Sequence, residues 1–120
     1  MARELRVHIA IAGMLRAYLK DGWRTTHPAS GEIRDKRTAA KIRAMGQNPG
    51  WPDIILVSPE GRFHGLEIKG PGGSLSTHQR DFRNWCRDHA IPWATVRSVD
   101  EAAHVLSDWG ALRLPISVQS

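Results

Sequence analysis

Apolar residues recur every three or four positions at the start of the chain, which is the spacing of one face of an α-helix. The row consists of Leu5, Ile9, Ala12, Leu15 and Leu19. Gly22 follows it and suits the end of a helix, because glycine readily adopts the left-handed conformation found there. The pattern predicts a first helix over residues 3–20, with this row as its buried face.

Four short segments are rich in β-branched, aromatic or other apolar residues and are predicted to be strands. They are residues 23–27, 53–58, 63–69 and 93–97. The second contains an unbroken apolar run at 54–57, which is typical of a strand covered on both faces. Pro59 and Gly61 favour a turn after it, so the second and third strands are predicted to form an antiparallel hairpin.

Helix signals lie between the predicted strands. Asp35 can cap a second helix over 36–45, and residues 28–34 before it have the composition of a loop. Two pairs have the spacing of a capping box and open the third and fourth helices: Ser76 with Gln79, and Ser98 with Glu101. The predicted buried stripe of the third helix is Phe82, Trp85, Cys86 and His89. The order αβαββαβα predicts an α/β fold.

The length and composition suit one globular domain, predicted to span residues 1–120. Because Cys86 is the single cysteine, no internal disulfide can form, and a reducing compartment is expected. The chain has no run near the ~20 apolar residues of a membrane helix and no signal-like start, so a cytoplasmic location without a membrane partner is expected. The formal charge of +5 favours a polyanionic partner, although charge alone is weak support.

Two carboxylates and a lysine are predicted to meet on the hairpin. Asp53 begins the second strand, and Glu67 and Lys69 lie near the end of the third. Because strand side chains alternate, Phe63, Gly65, Glu67 and Lys69 share one face. Neighbouring carboxylates repel, and a hard cation such as Mg²⁺ relieves the repulsion through oxygen ligands. A metal there could activate water and neutralise charge at a phosphodiester, with Lys69 orienting the water or stabilising the transition state.

Simpler interpretations exist for each of these residues. A Glu-x-Lys on a strand is most often an exposed ion pair, and an aspartate after a proline is most often a turn or cap residue. The three residues together, at matching ends of one hairpin, favour an active site. Gly65 on the same face is expected to leave room for the backbone of a nucleic acid.

The same residues carry a family resemblance. Asp53, preceded by Pro52, and Glu67-Ile68-Lys69 match the PD-(D/E)xK nuclease signature. Further matches lie at 50–53, at 66–69, at 73–76 with Gln79, and from 98–102 to 109–110. Over nearly its whole length the chain resembles the VRR-NUC (virus-type replication-repair nuclease) family, in its small stand-alone form common in phages and bacteria.

The resemblance implies a restriction-endonuclease-like core, a mixed central sheet flanked by helices. It also implies Mg²⁺-dependent DNA hydrolysis, with Mn²⁺ able to substitute for Mg²⁺. Asp53, Glu67 and the backbone carbonyl of Ile68 would bind the metal, and Lys69 would be the catalytic lysine. Gln79 matches a glutamine near the family's active site, besides its capping-box role. Glu4 is the best match to a further metal-binding glutamate in the first helix.

Basic residues on two predicted helices are candidates for DNA contacts. Arg37 and Lys41 lie one turn apart, so they could meet consecutive phosphates, although a solvated charged face is equally common. Arg80 and Arg83 lie with Arg87 on one side of the third helix. His27 could orient substrate or water, or be structural.

The sequence therefore predicts a metal-dependent endonuclease. Stand-alone members of the family are thought to be homodimers that act on branched, Holliday-type DNA, and the same is expected here. A second hypothesis is a sequence-preferring or nicking nuclease of the same fold. A third is a basic nucleic-acid-binding module without catalysis, against which the two carboxylates argue, because a pure binder gains nothing by presenting them to a polyanion.

Overall fold

A computed structural model describes residues 2–28 and 35–113 of the chain. The elements, in chain order, are α1 (Ala2–Tyr18), β1 (Arg24–Thr26), α2 (Lys36–Ala44), β2 (Ile54–Val57), β3 (Phe63–Ile68), α3 (Thr77–Asp88), β4 (Trp93–Val96) and α4 (Val99–Asp108). The predicted order αβαββαβα is confirmed. Apart from Pro28, the predicted loop at 28–34 lies outside the described residues. None of the described helices has the length and apolarity needed to cross a membrane.

The four strands form one mixed sheet in the order β1-β2-β3-β4. β1 pairs with β2 and β2 with β3 in antiparallel fashion, which confirms the predicted hairpin. β4 joins the other edge of β3 in parallel, after the crossover through α3. The predicted α/β class, with a mixed central sheet flanked by helices, is confirmed.

One face of the sheet packs against α1 and α4 and holds the hydrophobic core. Its fully buried members include Ile11, Leu56, Leu66, Ile68, Val96 and Leu106. His64 lies on this same face, as the alternation predicts, between the rings of Trp23 and Trp109. Burial lowers the pKa of His64, so the imidazole is held neutral in an aromatic setting.

The prediction that β2 is covered on both faces was wrong for that strand. Ile54 and Leu56 are buried, but Ile55 is half-buried and Val57 is 36% exposed. The strand covered on both faces is β3, whose residues from His64 to Ile68 are all buried. Both strands are interior in the sheet, but α3 covers the second face of β3, where Phe82 packs against Phe63 and Gln79 donates to Glu67.

The buried face predicted for α1 was also wrong in part. Leu5 and Ile9 are 60% and 61% exposed, whereas Ile11 and Leu15 are buried in contact with the core. Apolar residues occur all around this helix, so their spacing does not select one face. Contacts with α4 and β3 select the face that contains Ile11 and Leu15.

The capping of α3 was predicted correctly, but its buried stripe was not. Ser76 and Gln79 make both bonds of the capping box. Of the predicted stripe, only Cys86 is fully buried, while Trp85 is 47% exposed and His89 is exposed. The inward face of α3 instead carries Gln79, which donates to Glu67 on β3, and the buried Cys86.

The predicted second capping box is only half formed. Ser98 caps α4 by accepting a hydrogen bond from the backbone of Glu101. The carboxylate of Glu101 does not return the bond to Ser98 but accepts from the backbone N–H of Arg97, 2.6 Å away. Helix α4 therefore begins where predicted, with its first turn tied to the end of β4.

Candidate active site

Asp53 and Glu67 face each other across the hairpin. Ile54 is paired with Leu66, and continuing this antiparallel register by one residue puts Asp53 opposite Glu67. Oδ2 of Asp53 accepts a hydrogen bond of 2.8 Å from the backbone N–H of Ile68. This bond holds the Asp53 side chain against the end of β3, close enough to Glu67 to raise the pKa of that carboxyl group.

The carboxyl group of Glu67 is almost completely buried, with 1% of the residue exposed. Its Oε2 accepts a hydrogen bond of 3.1 Å from Nε2 of Gln79. Its Oε1 is buried and has no hydrogen-bond partner among the described residues. Burial, followed by the neighbouring carboxyl group of Asp53, raises the pKa of Glu67 to about 9, against a smaller opposing effect of Lys69.

These two side chains fit a divalent cation. A buried carboxylate oxygen without a partner is costly, and an acid forced against a second acid is the environment that a hard cation relieves. Asp53 and Glu67 could hold such an ion, together with the carbonyl of Ile68 that the family resemblance implies. The donors are oxygens only, which suits Mg²⁺ or Mn²⁺.

Glu4, in the first turn of α1, lies within electrostatic range of Glu67. Its negative charge contributes to the raised pKa of Glu67, and its Cβ would lie 3.8 Å from a Cβ added at Gly70. Within residues 2–28 and 35–113, no three His, Cys, Asp or Glu side chains are grouped closely enough to hold a metal. The role of Glu4 as a ligand therefore stays a prediction.

Lys69 follows directly after β3, at the same edge of the sheet. Its backbone N–H donates to the carbonyl of Val96 at 3.0 Å, which extends the parallel pairing by one residue. Its positive charge lowers the pKa of Glu67 and is the one cause that opposes the rise of that pKa. Lys69 is thus near enough to the carboxylates to act on the same substrate group.

Gln79 connects the start of α3 to the carboxylate pair. Its Oε1 accepts from the backbone N–H of Ser76 at 2.8 Å, which is one half of the capping box. Its Nε2 donates to Glu67. The capping role and the role near the site, both predicted, are therefore compatible in one side chain.

His27 contacts the backbone of the site. Its Nδ1 lies 2.6 Å from the carbonyl oxygen of Asp53. Because that oxygen can only accept, Nδ1 carries the proton and donates it. The ring of His8 packs edge-on against His27, with 4.5 Å between centroids. His27 thus has a structural contact, and its predicted contact with DNA stays a prediction.

The prediction that Gly65 leaves room for the backbone of a nucleic acid was wrong. This residue is buried, and a Cβ added to it would lie 2.8 Å from Cγ of Pro52 and 3.0 Å from Cδ1 of Trp93. The space beside Gly65 is filled by Pro52 and Trp93, not by nucleic acid. Pro52 therefore packs onto β3 next to Glu67 and fixes the backbone position of Asp53.

The basic candidates lie in two different environments. Arg37 and Lys41 are exposed on α2, a helix without buried residues. The Arg80 guanidinium donates to the carbonyl of Leu75 and to Thr77. Arg83 donates two hydrogen bonds to Oδ1 of the neighbouring Asn84. Their contacts with DNA stay predictions.

One contributor to the site was missed in the sequence. The guanidinium of Arg97 donates a hydrogen bond of 2.7 Å to the carbonyl of Gly70, which ties down the loop that follows Lys69. No local signal in the sequence marks this contact, which follows from the parallel pairing of β4 with β3. The residues after both strands must then lie at the same edge of the sheet.

The comparison with protein families agrees with this geometry. The family model for the VRR-NUC domain matches residues 16–100. The chain belongs to the VRR-NUC family. The match includes Asp53, Glu67, Lys69 and Gln79, whereas Glu4 lies before it.

Several larger proteins resemble this VRR-NUC chain in part. A probable phosphoketolase 2 of Rhizobium meliloti (strain 1021) is 28% identical over 81 residues, which are 68% of this chain and 9% of that protein. Crystal structures of paFAN1 bound to 1-nt and to 2-nt 5′-flap DNA with gap are 32% and 31% identical. In each case half of this chain aligns with 13% of the other, at a TM-score of 0.37. The chain thus spans about a tenth of the proteins that it matches.

Proposed function

We propose that this VRR-NUC chain is a DNA nuclease that depends on a divalent metal and hydrolyses phosphodiester bonds. Asp53, Glu67 and the carbonyl of Ile68 hold the ion, Mg²⁺ or Mn²⁺. The observation that carries the proposal is the buried oxygen of Glu67 without a partner, pressed against a second carboxylate. Burying two neighbouring carboxyl groups costs free energy, and a cation bound between them offsets that cost.

The chain's residues have distinct roles in this proposal. When bound, the cation supplies an activated water and positive charge against the phosphate. The Lys69 ammonium stabilises negative charge on the reacting phosphate, and Gln79 keeps the Glu67 carboxylate oriented toward the site. His27 acts as a positioning residue, since it holds the backbone carbonyl of Asp53 rather than the substrate.

The expected substrate is branched DNA, cut by a homodimer. Symmetric cutting of a junction requires two sites, which two copies of a small chain supply most simply. Leu5 and Ile9, adjacent on the outer side of α1 and more than half exposed, offer an apolar surface to the second copy. Light scattering of the wild type and of the Leu5→Glu, Ile9→Glu double variant tests this, and an unchanged mass would contradict it.

Cleavage assays test the catalytic proposal directly. Labelled junction, flap and linear duplex DNAs are incubated with the protein in Mg²⁺, in Mn²⁺ and in EDTA, alongside Asp53→Asn and Lys69→Ala. Asp53→Asn is expected to lose cleavage but to bind DNA as well or better, because one charge that repels phosphate is gone. Lys69→Ala is expected to lower turnover more than metal affinity. Cutting in EDTA, or by Asp53→Asn at the parental rate, would refute the assignment, and cutting of duplex at a fixed sequence would favour a sequence-preferring enzyme.

A further inference from the structure

A cleft with aromatic walls lies on the flank of α3, beside the proposed nuclease site. Trp51, Phe82 and Trp85 line it, and it encloses about 490 Å³. The Trp51 and Phe82 rings lie 5.0 Å apart and the Phe82 and Trp85 rings 5.6 Å apart, so the three form one continuous row. We call this surface the aromatic cleft.

The two tryptophans of the aromatic cleft are unusually exposed for their size. Trp51 is 41% exposed and Trp85 is 47% exposed, although both have aromatic neighbours against which they could be buried further. Trp51 is also held in place, because Gly50 adopts a φ of +93° and packs against the backbone of His78 with no space for a Cβ. The cleft is therefore a preformed opening between the 47–52 loop and the middle and last turns of α3.

The polar rim of the aromatic cleft selects against phosphate. Asp81 and Asp88 lie along it, and both carboxylates would repel a polyanion's backbone. The other polar members are two amides, of Asn48 and Asn84. Arg83 occupies Oδ1 of Asn84, which leaves that amide's NH₂ to donate, while Nδ2 of Asn48 is used by the carbonyl of Gly46, which leaves Oδ1 to accept.

We infer that the aromatic cleft binds an unpaired nucleobase of the DNA substrate. A base is flat, uncharged and bordered by donors and acceptors, so it matches aromatic walls, an acidic rim that excludes phosphate, and one free amide donor and acceptor.

The position of the aromatic cleft suits this occupant. Gln79, which contacts Glu67, and Trp85 are six residues apart on α3, about 9 Å along the helix axis. That is the length of two or three stacked nucleotides. Trp51 lies two residues before Asp53. The exposed basic helix α2 is followed, after Gly46, by the 47–52 loop, which forms the wall of the cleft opposite α3. A strand that is cut at the carboxylates would thus have a nearby base at the cleft and its phosphates near α2.

The inference rests on the proposed nuclease function but is tested without cleavage. Fluorescence anisotropy in EDTA measures the binding of a labelled single-stranded oligo-dT and of a labelled duplex of equal length to the full chain. Trp85→Ala is expected to weaken single-strand binding roughly 5- to 150-fold, the loss typical of one stacked base, with little change for the duplex. Trp85→Phe is expected to restore most of the affinity, because it keeps a ring.

Tyr18→Ala is the matched control, because Tyr18 is an aromatic residue of similar exposure, 40%, on α1. It is expected to bind both DNAs as the wild type does. Thermal melting of each variant shows that it is folded. Equal weakening for single strand and duplex by Trp85→Ala would overturn the inference. So would unchanged DNA binding together with a changed mass in light scattering, which would make the aromatic cleft a contact between copies.

The two proposals fail in different ways. If the aromatic cleft does not bind a base, Trp85→Ala binds oligo-dT as tightly as the wild type does, while the wild type still cuts DNA in Mg²⁺. If the chain is not a nuclease, no DNA is cut by the wild type, but the difference between single strand and duplex in the binding of Trp85→Ala remains.

Discussion

The two faces of strand β3 carry opposite kinds of side chain within six residues. Toward α1 and α4 the strand presents His64, Leu66 and Ile68, all buried in an apolar and aromatic core. Toward α3 it presents Gly65 and Glu67, a side-chain-free position and a buried acid. Burial is nearly the same on both faces, so burial alone does not distinguish a core from a site. What differs is whether the buried atoms have partners.

The two faces of β3 differ in whether their buried polar side-chain atoms have hydrogen-bond partners. Leu66 and Ile68 have no polar atoms in their side chains, and Nδ1 of His64 is hydrogen-bonded to the carbonyl of Arg62. Oε1 of Glu67 is buried without a partner in the described part of the chain. A substitution on the core face should therefore change stability, and one on the site face should change chemistry.

Glu67→Gln is expected to give the largest effect. The side chain keeps its size, but it loses the charge that the proposed metal needs, so cleavage should fall by at least about a thousandfold, or roughly 4 kcal/mol in barrier. Stability without metal should be unchanged or higher, because a buried acid is removed. Melting curves with and without Mn²⁺ give a second readout, since only the wild type should be stabilised by the ion. Equal stabilisation of both proteins would contradict the site.

Leu66→Ala, one residue away on the core face, is expected to show the reverse. It creates a cavity under α1 and α4 and should lower the free energy of unfolding by about 2–5 kcal/mol. Cleavage per folded molecule, measured well below the melting temperature, should stay within a few-fold of wild type. Met45→Ala is the control, because Met45 is 84% exposed, and it should change stability by no more than about 0.5 kcal/mol. A loss in Met45→Ala as large as in Leu66→Ala would show that burial does not set the effect.

Gly65→Ala tests the packing beneath the site. The new Cβ would lie 2.8 Å from Pro52 and 3.0 Å from Trp93, so one of them must move. We expect a loss of about 1–3 kcal/mol in urea unfolding, with reduced cleavage because Pro52 precedes Asp53. Gly13→Ala on α1 is the control: it meets nothing within 4 Å and should stabilise the helix by about 0.5–1 kcal/mol. A neutral Gly65→Ala would show that Pro52 does not hold Asp53.

His64 is expected to give the smallest effect, a dependence of stability on pH. Burial lowers the pKa of its imidazole in the folded chain, and the charge of Arg62 acts in the same direction. The folded state therefore binds the proton less readily than the unfolded state, so stability is full above a pH of about 6.5 and falls as the pH decreases below it. Melting temperatures between pH 8 and pH 5 should fall less for His64→Phe than for wild type. His104→Gln, on the exposed side of α4, should keep the wild-type slope, and identical slopes in all three proteins would refute the role of burial.

Local sequence signals predicted the elements and the site pair well. The capping residues Asp35, Ser76 and Ser98 each begin a helix within one residue of the predicted start. The turn at Pro59 and Gly61 sets the hairpin register, and that register brings Asp53 opposite Glu67. These features depend on neighbours in the chain or on a single short loop, which is why the sequence suffices for them.

Features that depend on packing between distant elements were not predicted. The outward face of α1 and the exposure of Trp85 follow from where α4 and the 47–52 loop dock, and periodicity cannot supply this. Gly65 was assigned to nucleic acid because its true neighbours, Pro52 and Trp93, come from two other segments of the chain. Arg97 reaches Gly70 across 27 positions, a contact that becomes visible only once β3 and β4 are known to be parallel.

The amide of Gln79 has a consequence for which residues the chain can accept there. In a capping box glutamate is the common partner of serine, and a glutamate side chain at this position would accept from Ser76 as well as the amide does. A carboxylate, however, has no N–H to offer Glu67 and would add a further negative charge beside Asp53. Helix stability alone would therefore accept either residue, while the neighbouring acid accepts only the amide. Glutamine and glutamate are nearly isosteric, but the hydrogen bond to Glu67, twelve positions earlier on β3, requires glutamine at the start of this helix.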